Sequence, residues 1–241
     1  MKKIVLSTAV ALMMATSANA FMGINAEVGG GVWAPTLSGH ANIDGAGAID
    51  FSSKNMDDKS FSGNNYMYAD FSHFVPIIPN IRAEKLNYNI DSASGTKVDM
   101  KQTDIIAYWG VPLIGLATAG VLNINFGLDA KNLKGSIDTN STTSKNFDET
   151  LPLLYLNARV SVPFAPIDLE ATTKAISYDG ASISDSEAKV SVKLPIPLPL
   201  IDFKVDLGYR VQNITIPDSL VGGLDAKVDT KGMFFGMSAK F

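Results

Sequence analysis

The chain contains no cysteine among its 241 residues. It therefore has no disulfide, thiolate metal site or cysteine nucleophile, and it lacks the acylated cysteine of a lipoprotein. Histidine is almost absent too, since only His40 and His73 occur, and they lie too far apart in sequence for metal-ligand spacing. The sequence thus predicts neither a metal site nor a cofactor.

Positive charge is also scarce. Lys and Arg number 20 against 24 Asp and Glu, which gives a formal net charge of −4. Nucleic-acid binding depends on clustered Lys and Arg that neutralise phosphates, and no basic cluster is present. We therefore exclude nucleic acid as a partner.

The first twenty residues have the pattern of a secretory signal peptide. Basic Lys2 and Lys3 precede an apolar run from Ile4, and small residues end the segment at Ala20. We expect cleavage after Ala20 and one domain over residues 21–241. Removing the signal takes away two Lys and no acid, so the net charge becomes 18 − 24 = −6.

No later apolar run is long enough for a spanning helix. The longest weakly polar stretch, 110–122, is shorter than the roughly 20 residues that a helix needs, and Pro112 lies near its start. Inside a bilayer every backbone N–H and C=O must be paired within the protein. A closed antiparallel barrel is then the other way to cross.

Alternation of apolar and polar residues, with a period of two, predicts strands along the whole chain. The clearest is 201–212, where Phe203, Val205 and Leu207 alternate with charged residues. The alternation breaks around Arg82, Glu84 and Asp104, which predicts a bulge or a shifted boundary there. The predicted strands are 23–34, 64–75, 81–90, 98–111, 121–131, 153–164, 167–178, 187–194, 201–212 and 224–241.

The connections between these strands alternate between two chemical kinds. Short, apolar, proline-rich turns lie at 75–79, 111–115, 162–166 and 194–199, and polar loops lie at 35–63, 91–97, 136–149, 179–185 and 217–223. Proline lacks the N–H that a strand interior needs, so it marks strand ends. The pattern predicts an all-β, antiparallel, up-and-down transmembrane β-barrel of about ten strands, or about eight or twelve, with short periplasmic turns and a long extracellular first loop, 35–63.

The C-terminus resembles the signature of bacterial outer-membrane proteins, in which a terminal Phe follows alternating apolar residues. Here these are Phe235, Met237, Ala239 and Phe241. The resemblance implies that periplasmic chaperones and the barrel-assembly machinery deliver the chain to the outer membrane. There its surroundings would be outer-membrane lipid and lipopolysaccharide, and we expect a monomer. With its proline turns and Gly29-Gly30-Gly31-Val32-Trp33, the chain is also similar to a family of small proteobacterial outer-membrane barrel proteins of uncharacterised function.

Charges of both signs fall on the predicted lumenal face. Because about eight strands already leave an interior filled by side chains, a ten-stranded barrel should be narrow. We therefore expect a structural charge network across the lumen. Seven aromatic residues near strand ends predict interfacial girdles: Trp33, Tyr66, Tyr68, Tyr108, Trp109, Phe164 and Phe235. The lumenal charges are Glu27, Asp129, Lys131, Arg159, Asp168, Glu170, Lys174, Lys189, Lys193, Asp202, Lys204, Asp206 and Arg210.

Three functions fit this pattern. The leading hypothesis is a non-enzymatic barrel with a structural role or a surface interaction. The alternative is a narrow channel or a barrel that binds a small solute. The third is a surface hydrolase: Asp57 and Asp58 resemble the paired carboxylates of the omptins, and Ser72 and His73 are residue types of a lipid A deacylase. Neighbours on a strand point to opposite faces, which disfavours the Ser72–His73 pair.

Overall fold

The computed structural model describes residues 24–44, 47–52, 63–91, 97–138, 144–196, 198, 201–219 and 222–241. No helix in these ranges is long and apolar enough to span a bilayer. The secondary structure consists of β1 (Ile24–Ile43), β2 (Gly47–Ser52), β3 (Asn65–His73), β4 (Asn80–Asp91), β5 (Lys97–Gly110), α1 (Ile114–Ala117), β6 (Leu122–Asp138), β7 (Ser144–Ser161), β8 (Ile167–Tyr178), β9 (Ala181–Lys193), β10 (Asp202–Ile216) and β11 (Leu224–Lys240).

The strands form one closed sheet. Neighbours in chain order pair antiparallel, and β11 pairs with β1 to complete the ring. β2 and β3 share one place in the wall, because β1 pairs with β3 along 24–32 and with β2 along 38–43. The fold is an all-β closed antiparallel barrel with ten strand positions, which confirms the predicted fold class.

The strands extend further into the predicted polar loops than the alternation suggested. β1 continues from Ala34 to Ile43 because β11 pairs with it as far as Leu224, so much of the predicted first loop is strand. β8 and β9 are joined by a turn at Asp179 and Gly180, both with positive φ, as in a type I′ hairpin. We call this end of the barrel the loop end and the opposite, proline-rich end the turn end.

The apolar residues change faces midway along the strands. On β10, Leu207 and Tyr209 are exposed on the outer surface, whereas Ile214 and Ile216 are buried in the lumen. Side chains still alternate regularly between the two sides of the wall. The side that carries the apolar residues therefore changes, while the backbone register continues unchanged. The barrel thus has a turn half, with an apolar exterior and a polar lumen, and a loop half, with a polar exterior and an apolar lumen.

This exchange explains the irregular alternation of β4 and β5. Arg82 and Glu84 face the lumen, and so do Leu86 and Tyr88 further along the same strand. The β3–β4 and β4–β5 pairings run without interruption through this region. The predicted bulge or shifted boundary at Arg82, Glu84 and Asp104 was therefore wrong, because the residues keep their phase while the hydrophobic side switches.

The apolar lumen of the loop half is the hydrophobic core of the protein. Trp33 packs edge-on against Tyr88 with ring centroids 5.4 Å apart, and Tyr66 packs edge-on against Phe234 at 5.3 Å. Each pair joins two strands that are separated by one strand of the wall, and these rings are part of the packing of the interior. The buried cluster comprises Trp33, Leu37, Ala41, Ile43, Leu86, Tyr88, Ile90, Val98, Met100, Leu133, Ile137, Phe147, Leu153, Ile183, Ile214, Ile216, Leu224, Ala226, Val228 and Phe234.

Candidate functional site

The lumen of the turn half contains a polar cavity of about 350 Å³, which we call the vestibule. Its charged side chains balance, with acids Glu27, Asp70, Asp168 and Glu170 and bases Arg82, Arg159, Lys204 and Lys240. Amides and hydroxyls supply the rest of its hydrogen-bonding surface. The other lining residues are Asn25, Ser72, Asn80, Tyr108, Gly120, Asn123, Asn125, Tyr155, Asn157 and Ser161.

Ion pairs link the walls of the vestibule. Arg159 donates to Glu170 Oε2 from Nη2 at 2.8 Å and from Nε at 3.1 Å, and its Nη1 lies 3.5 Å from Glu27. Lys204 donates to Asp168 at 2.7 Å. Asn157, which lies on β7 with Arg159, also donates to Glu170, at 2.9 Å. Each buried carboxylate here therefore has a cationic partner, which is the condition under which a buried charge is tolerated.

A second charged layer, the central hub, separates the vestibule from the apolar core. It consists of Asp104, Lys131, Lys174, Asp185 and Arg210. Lys131 Nζ lies 2.8 Å from Asp104 Oδ2 and 2.9 Å from Asp185 Oδ2, and Arg210 Nε donates to Asp185 Oδ1 at 2.8 Å. Lys174 pairs with Asp104 and lies 4.0 Å from Asp185.

The hub ties together strands that are not neighbours in the wall. Lys174 on β8 pairs with Glu84 on β4. Gln102 on β5 and Gln212 on β10 donate to each other across the lumen at 3.0 and 2.9 Å. These contacts cross the interior and connect opposite sides of the barrel. The layer is continuous with the apolar core above it, so side chains fill the lumen from the hub to the loop end.

Comparisons with known proteins find similar solved structures and no family. No protein-family model and no curated protein matches the chain. Similar solved structures include neisserial surface protein A (12% identity, TM-score 0.35, 91% of this chain and 97% of that one). Others are Ail, the attachment invasion locus protein of Yersinia pestis (11%, 0.36, 91% and 100%), and the translocator domain of the autotransporter NalP of Neisseria meningitidis (12%, 0.37, 96% and 96%). These values are too low to transfer a function.

Most of the predicted lumenal charges lie in the two charged layers. Glu27, Arg159, Glu170 and Lys204 meet in the vestibule, and Lys131, Lys174 and Arg210 meet in the hub. Four predicted members, Asp202, Lys193, Asp129 and Asp206, take no part in the ion pairs of these layers. Asp202 is half-exposed at the turn end beside Lys193, and Asp129 and Asp206 are buried without a hydrogen-bond partner among the described residues.

Sequence reasoning missed several members of the network. The alternation predicts Arg82, Glu84 and Asp104 as interruptions. It also predicts a loop at Asp185, which is the most connected carboxylate of the hub. The sequence does contain a signal, because Arg82, Glu84 and Leu86 occupy alternate positions of β4 and therefore face the same side. Recognising this signal requires knowing that the lumen is polar at one end and apolar at the other.

The girdle prediction was wrong for four aromatic residues. Trp33, Tyr68 and Tyr108 are buried in the lumen, and Tyr66 packs against the core. Tyr68 donates to Glu27 at 2.8 Å and Tyr108 to Asp70 at 2.8 Å. Their hydroxyls therefore complete the lumenal network. Trp109 stacks on Phe126 on the outer surface, and Phe164 and Phe235 are exposed.

The structure places the two histidines in different halves of the barrel and puts Ser72 and His73 on opposite sides of their strand. His73 ends β3, and its Nδ1 accepts a hydrogen bond from the Val75 N–H at 3.2 Å, so it stabilises the turn. Ser72 lines the vestibule on the other side of the strand. His40 is exposed in the loop half. Asp57 and Asp58 lie outside the described residues.

The four residues of the predicted assembly signal lie in two different environments. Met237 and Phe235 are about half-exposed on the outer surface, and Ala239 shares their face. Phe241 was expected on the same surface but is only 7% exposed. Its backbone N–H donates to Ala26 O at 2.8 Å and its carbonyl accepts from the Ala26 N–H at 3.3 Å, so the terminal residue is held against β1.

Proposed function

We propose that the protein is an outer-membrane barrel whose turn half spans the bilayer and whose loop half stands in water as a structural or surface-interaction module. Apolar side chains form a belt around the turn half, as lipid contact requires. We take the barrel to be non-enzymatic and monomeric, with lipid and lipopolysaccharide around it. The belt comprises Val32, Met67, Phe71, Ile81, Ile105, Phe126, Leu128, Leu154, Leu156, Leu169, Val190, Val192, Leu207, Tyr209, Met233, Phe235 and Met237.

The exterior of the loop half supports this orientation. Lys134 on β6 donates to Asp148 on β7 at 2.8 Å, both side chains being more than half exposed. Hydrogen bonds from Lys134 and Asn132 lower the pKa of Asp148 below its ordinary value. Such charges are stable in water and costly in hydrocarbon. Similar polar residues face outward on the other strands of this half, including Lys101, Ser182, Asn213, Asp225 and Lys227.

The filled lumen is the observation that carries the proposed role. The hub crosses the interior, and the apolar core closes the loop half above it. An aqueous channel needs a continuous polar path, and porins, which leave one, are built from about 16–18 strands. Because the interior is filled, the surface through which we propose that the barrel interacts is its exposed loop end.

We expect the refolded protein to give no discrete conductance steps in a planar bilayer. The apolar core offers no hydration to an ion crossing the loop half. Folding and insertion are checked on the same sample by heat-modifiable gel migration. Reproducible steps from protein that migrates as folded would contradict the filled-lumen role and favour the channel.

The vestibule favours a second candidate function, binding of a small polar solute. A cavity of about 350 Å³ with balanced charge and many amides suits a zwitterion or a polyhydroxylated molecule. Saturation-transfer NMR with glycylglycine and with glucose tests this function in detergent micelles. Transfer that is lost in Arg159→Gln supports binding in the vestibule. No transfer from either compound would count against it.

A further inference from the structure

The turn end of the barrel is apolar as well as short. Residues 74–79, 111–121, 162–166 and 194–201 contain no charged side chain. Large apolar residues in the described part of these turns point away from the protein: Ile77 is 87% exposed, Leu116 is 82% exposed and Phe164 is fully exposed. Single exposed apolar residues are ordinary on a soluble surface, but a ring of them at one end marks an interaction surface.

Two of the large apolar residues in these turns adopt a backbone conformation that L-residues avoid. Leu113 and Phe164 have φ of 67° and 65°, in the left-handed region. Leu113 is itself largely exposed, and Phe164 gains no burial within the chain. Left-handed backbone at a non-glycine residue is retained where the surroundings compensate for it. At Phe164 the turn itself holds this backbone, because the Ala165 N–H donates to the Val162 carbonyl at 3.2 Å, and the turn projects the Phe164 side chain away from the barrel.

The height of the belt indicates what surrounds the exposed residues of these turns. On β10 the outward apolar residues run from Phe203 to Val211, whereas on β4 only Ile81 and Ala83 precede the exposed Lys85. With strands tilted by about 40°, each residue rises roughly 2.5 Å along the barrel axis. The β4 segment then covers less than about 10 Å of an apolar band that is normally about 25 Å tall.

The turns beside β4 supply the missing height. The β3–β4 turn carries Phe74, Ile77 and Ile78, and the connection that begins at the end of β5 carries Leu113 and Leu116. No charged residue lies between the belt and these turns on either connection. Lys193 and Asp202, which flank the β9–β10 connection, have lumenal phase and pair with each other. The apolar surface therefore continues from the belt onto the turn end.

We infer that the proline-rich turns at 74–79, 111–121 and 162–166 are immersed in the near leaflet of the bilayer, with phospholipid covering them. On this side the barrel ends within the membrane instead of projecting into water, and the exposed Ile77, Leu116 and Phe164 anchor it there. The inference rests on the proposed function, in which the belt lies in the bilayer. It adds the depth of the turns and the class of molecule that contacts them.

Single-cysteine spin labelling tests the immersion directly, since the native chain has no cysteine to remove. Labels go at Phe164→Cys and Leu116→Cys in the turns, at Leu207→Cys in the belt and at Asn146→Cys, an exposed position near the loop end. The full chain is refolded into vesicles of phosphatidylethanolamine and phosphatidylglycerol. Power-saturation EPR then compares accessibility to oxygen, which enters lipid, with accessibility to a water-soluble nickel chelate.

We expect the oxygen-to-nickel accessibility ratio at both turn labels to match that at Leu207 and to exceed that at Asn146 by on the order of tenfold, because the polar chelate is excluded from hydrocarbon. Turn labels that behave like Asn146 while Leu207 stays in lipid would overturn the immersion and leave the membrane barrel standing. If Leu207 also behaves like Asn146, the proposed function itself fails. The two turn sites are exposed, and gel migration checks that each variant is folded.

Discussion

Gly31→Val is expected to prevent the barrel from closing. Gly31 on β1 lies opposite Gly236 on β11, in the pairing that joins the last strand to the first. A Cβ at Gly31 would lie 2.1 Å from the Phe235 carbonyl oxygen and 2.6 Å from the Gly236 Cα. Both are backbone atoms of the neighbouring strand and cannot rotate away, so the strands must separate at the seam.

The cost of this substitution should exceed that of ordinary overpacking, which is about 1–3 kcal/mol. We expect a loss of more than about 4 kcal/mol in the free energy of unfolding, in the range reserved for severe backbone or core damage. The measurement is the fraction of protein that shows heat-modifiable migration after refolding, followed by urea titration of any folded fraction.

Gly110→Val is the matched control for this seam prediction. A Cβ at Gly110 meets only the Asn125 Oδ1 atom, at 3.5 Å, which is ordinary van der Waals contact. We expect this variant to refold with the yield of the parent. If Gly31→Val refolds as well as Gly110→Val, the seam does not need the close approach of β1 and β11.

Asp185→Ala is expected to destabilise the folded barrel by about 3–5 kcal/mol, the usual cost of removing one partner of a buried ion pair. Asp185 accepts from Arg210 and Gln212 and pairs with Lys131, and all of these side chains are buried. The substitution removes the carboxylate that Lys131 and Arg210 share, and leaves Lys131 with Asp104 at 2.8 Å and Arg210 with the more distant Glu187 at 3.7 Å. Equilibrium urea unfolding in detergent or lipid measures the loss.

The matched control is Asp148→Ala, which removes an ion pair of nearly the same length at the surface. Asp148 lies 2.8 Å from Lys134, as Asp185 lies 2.9 Å from Lys131, but its pair is in water. Exposed pairs contribute little because solvent screens them, so we expect no measurable change. Equal stabilities of the Asp185 and Asp148 variants would show that the hub does not hold the barrel together.

A second substitution separates charge from packing in the hub. In the background of Asp185→Ala, Lys131→Met removes one of the cations that had paired with Asp185. Replacing buried ions by apolar groups of similar size is often neutral or stabilising. We expect the double variant to recover part of the lost stability. A further loss would instead indicate that Lys131 acts mainly through its contact with Asp104.

The alternation of Phe203, Val205 and Leu207 with charged residues was a sufficient local signal for a strand, because side chains on a strand alternate sides regardless of what surrounds them. The prolines of the four turns marked strand ends for an equally local reason, the missing N–H. The strand number and the lumenal phase of Glu27, Arg159 and Arg210 could therefore be predicted. The predictions that were wrong concern residues whose side of the wall depends on the whole barrel and not on their neighbours in sequence.

Arg82, Glu84 and Asp104 illustrate that difference. Their neighbours in sequence include apolar residues that also face inward, and a period-two pattern does not say which of its two sides meets water. That assignment depends on where the bilayer ends along the strand and on what the opposite wall presents. The contact between Lys131 of β6 and Asp185 of β9 likewise depends on how the register carries β9 around the ring.

What the sequence by itself determined was the barrel: alternation and proline placement specify strands, turns and which residues share a face, and each is a property of a few adjacent residues. Only the tertiary structure decided that the lumen is charged in one half and apolar in the other, and which charges meet inside it. The physical reason is that these contacts cross the closed ring, between residues such as Gln102 and Gln212 that are 110 positions apart in the chain.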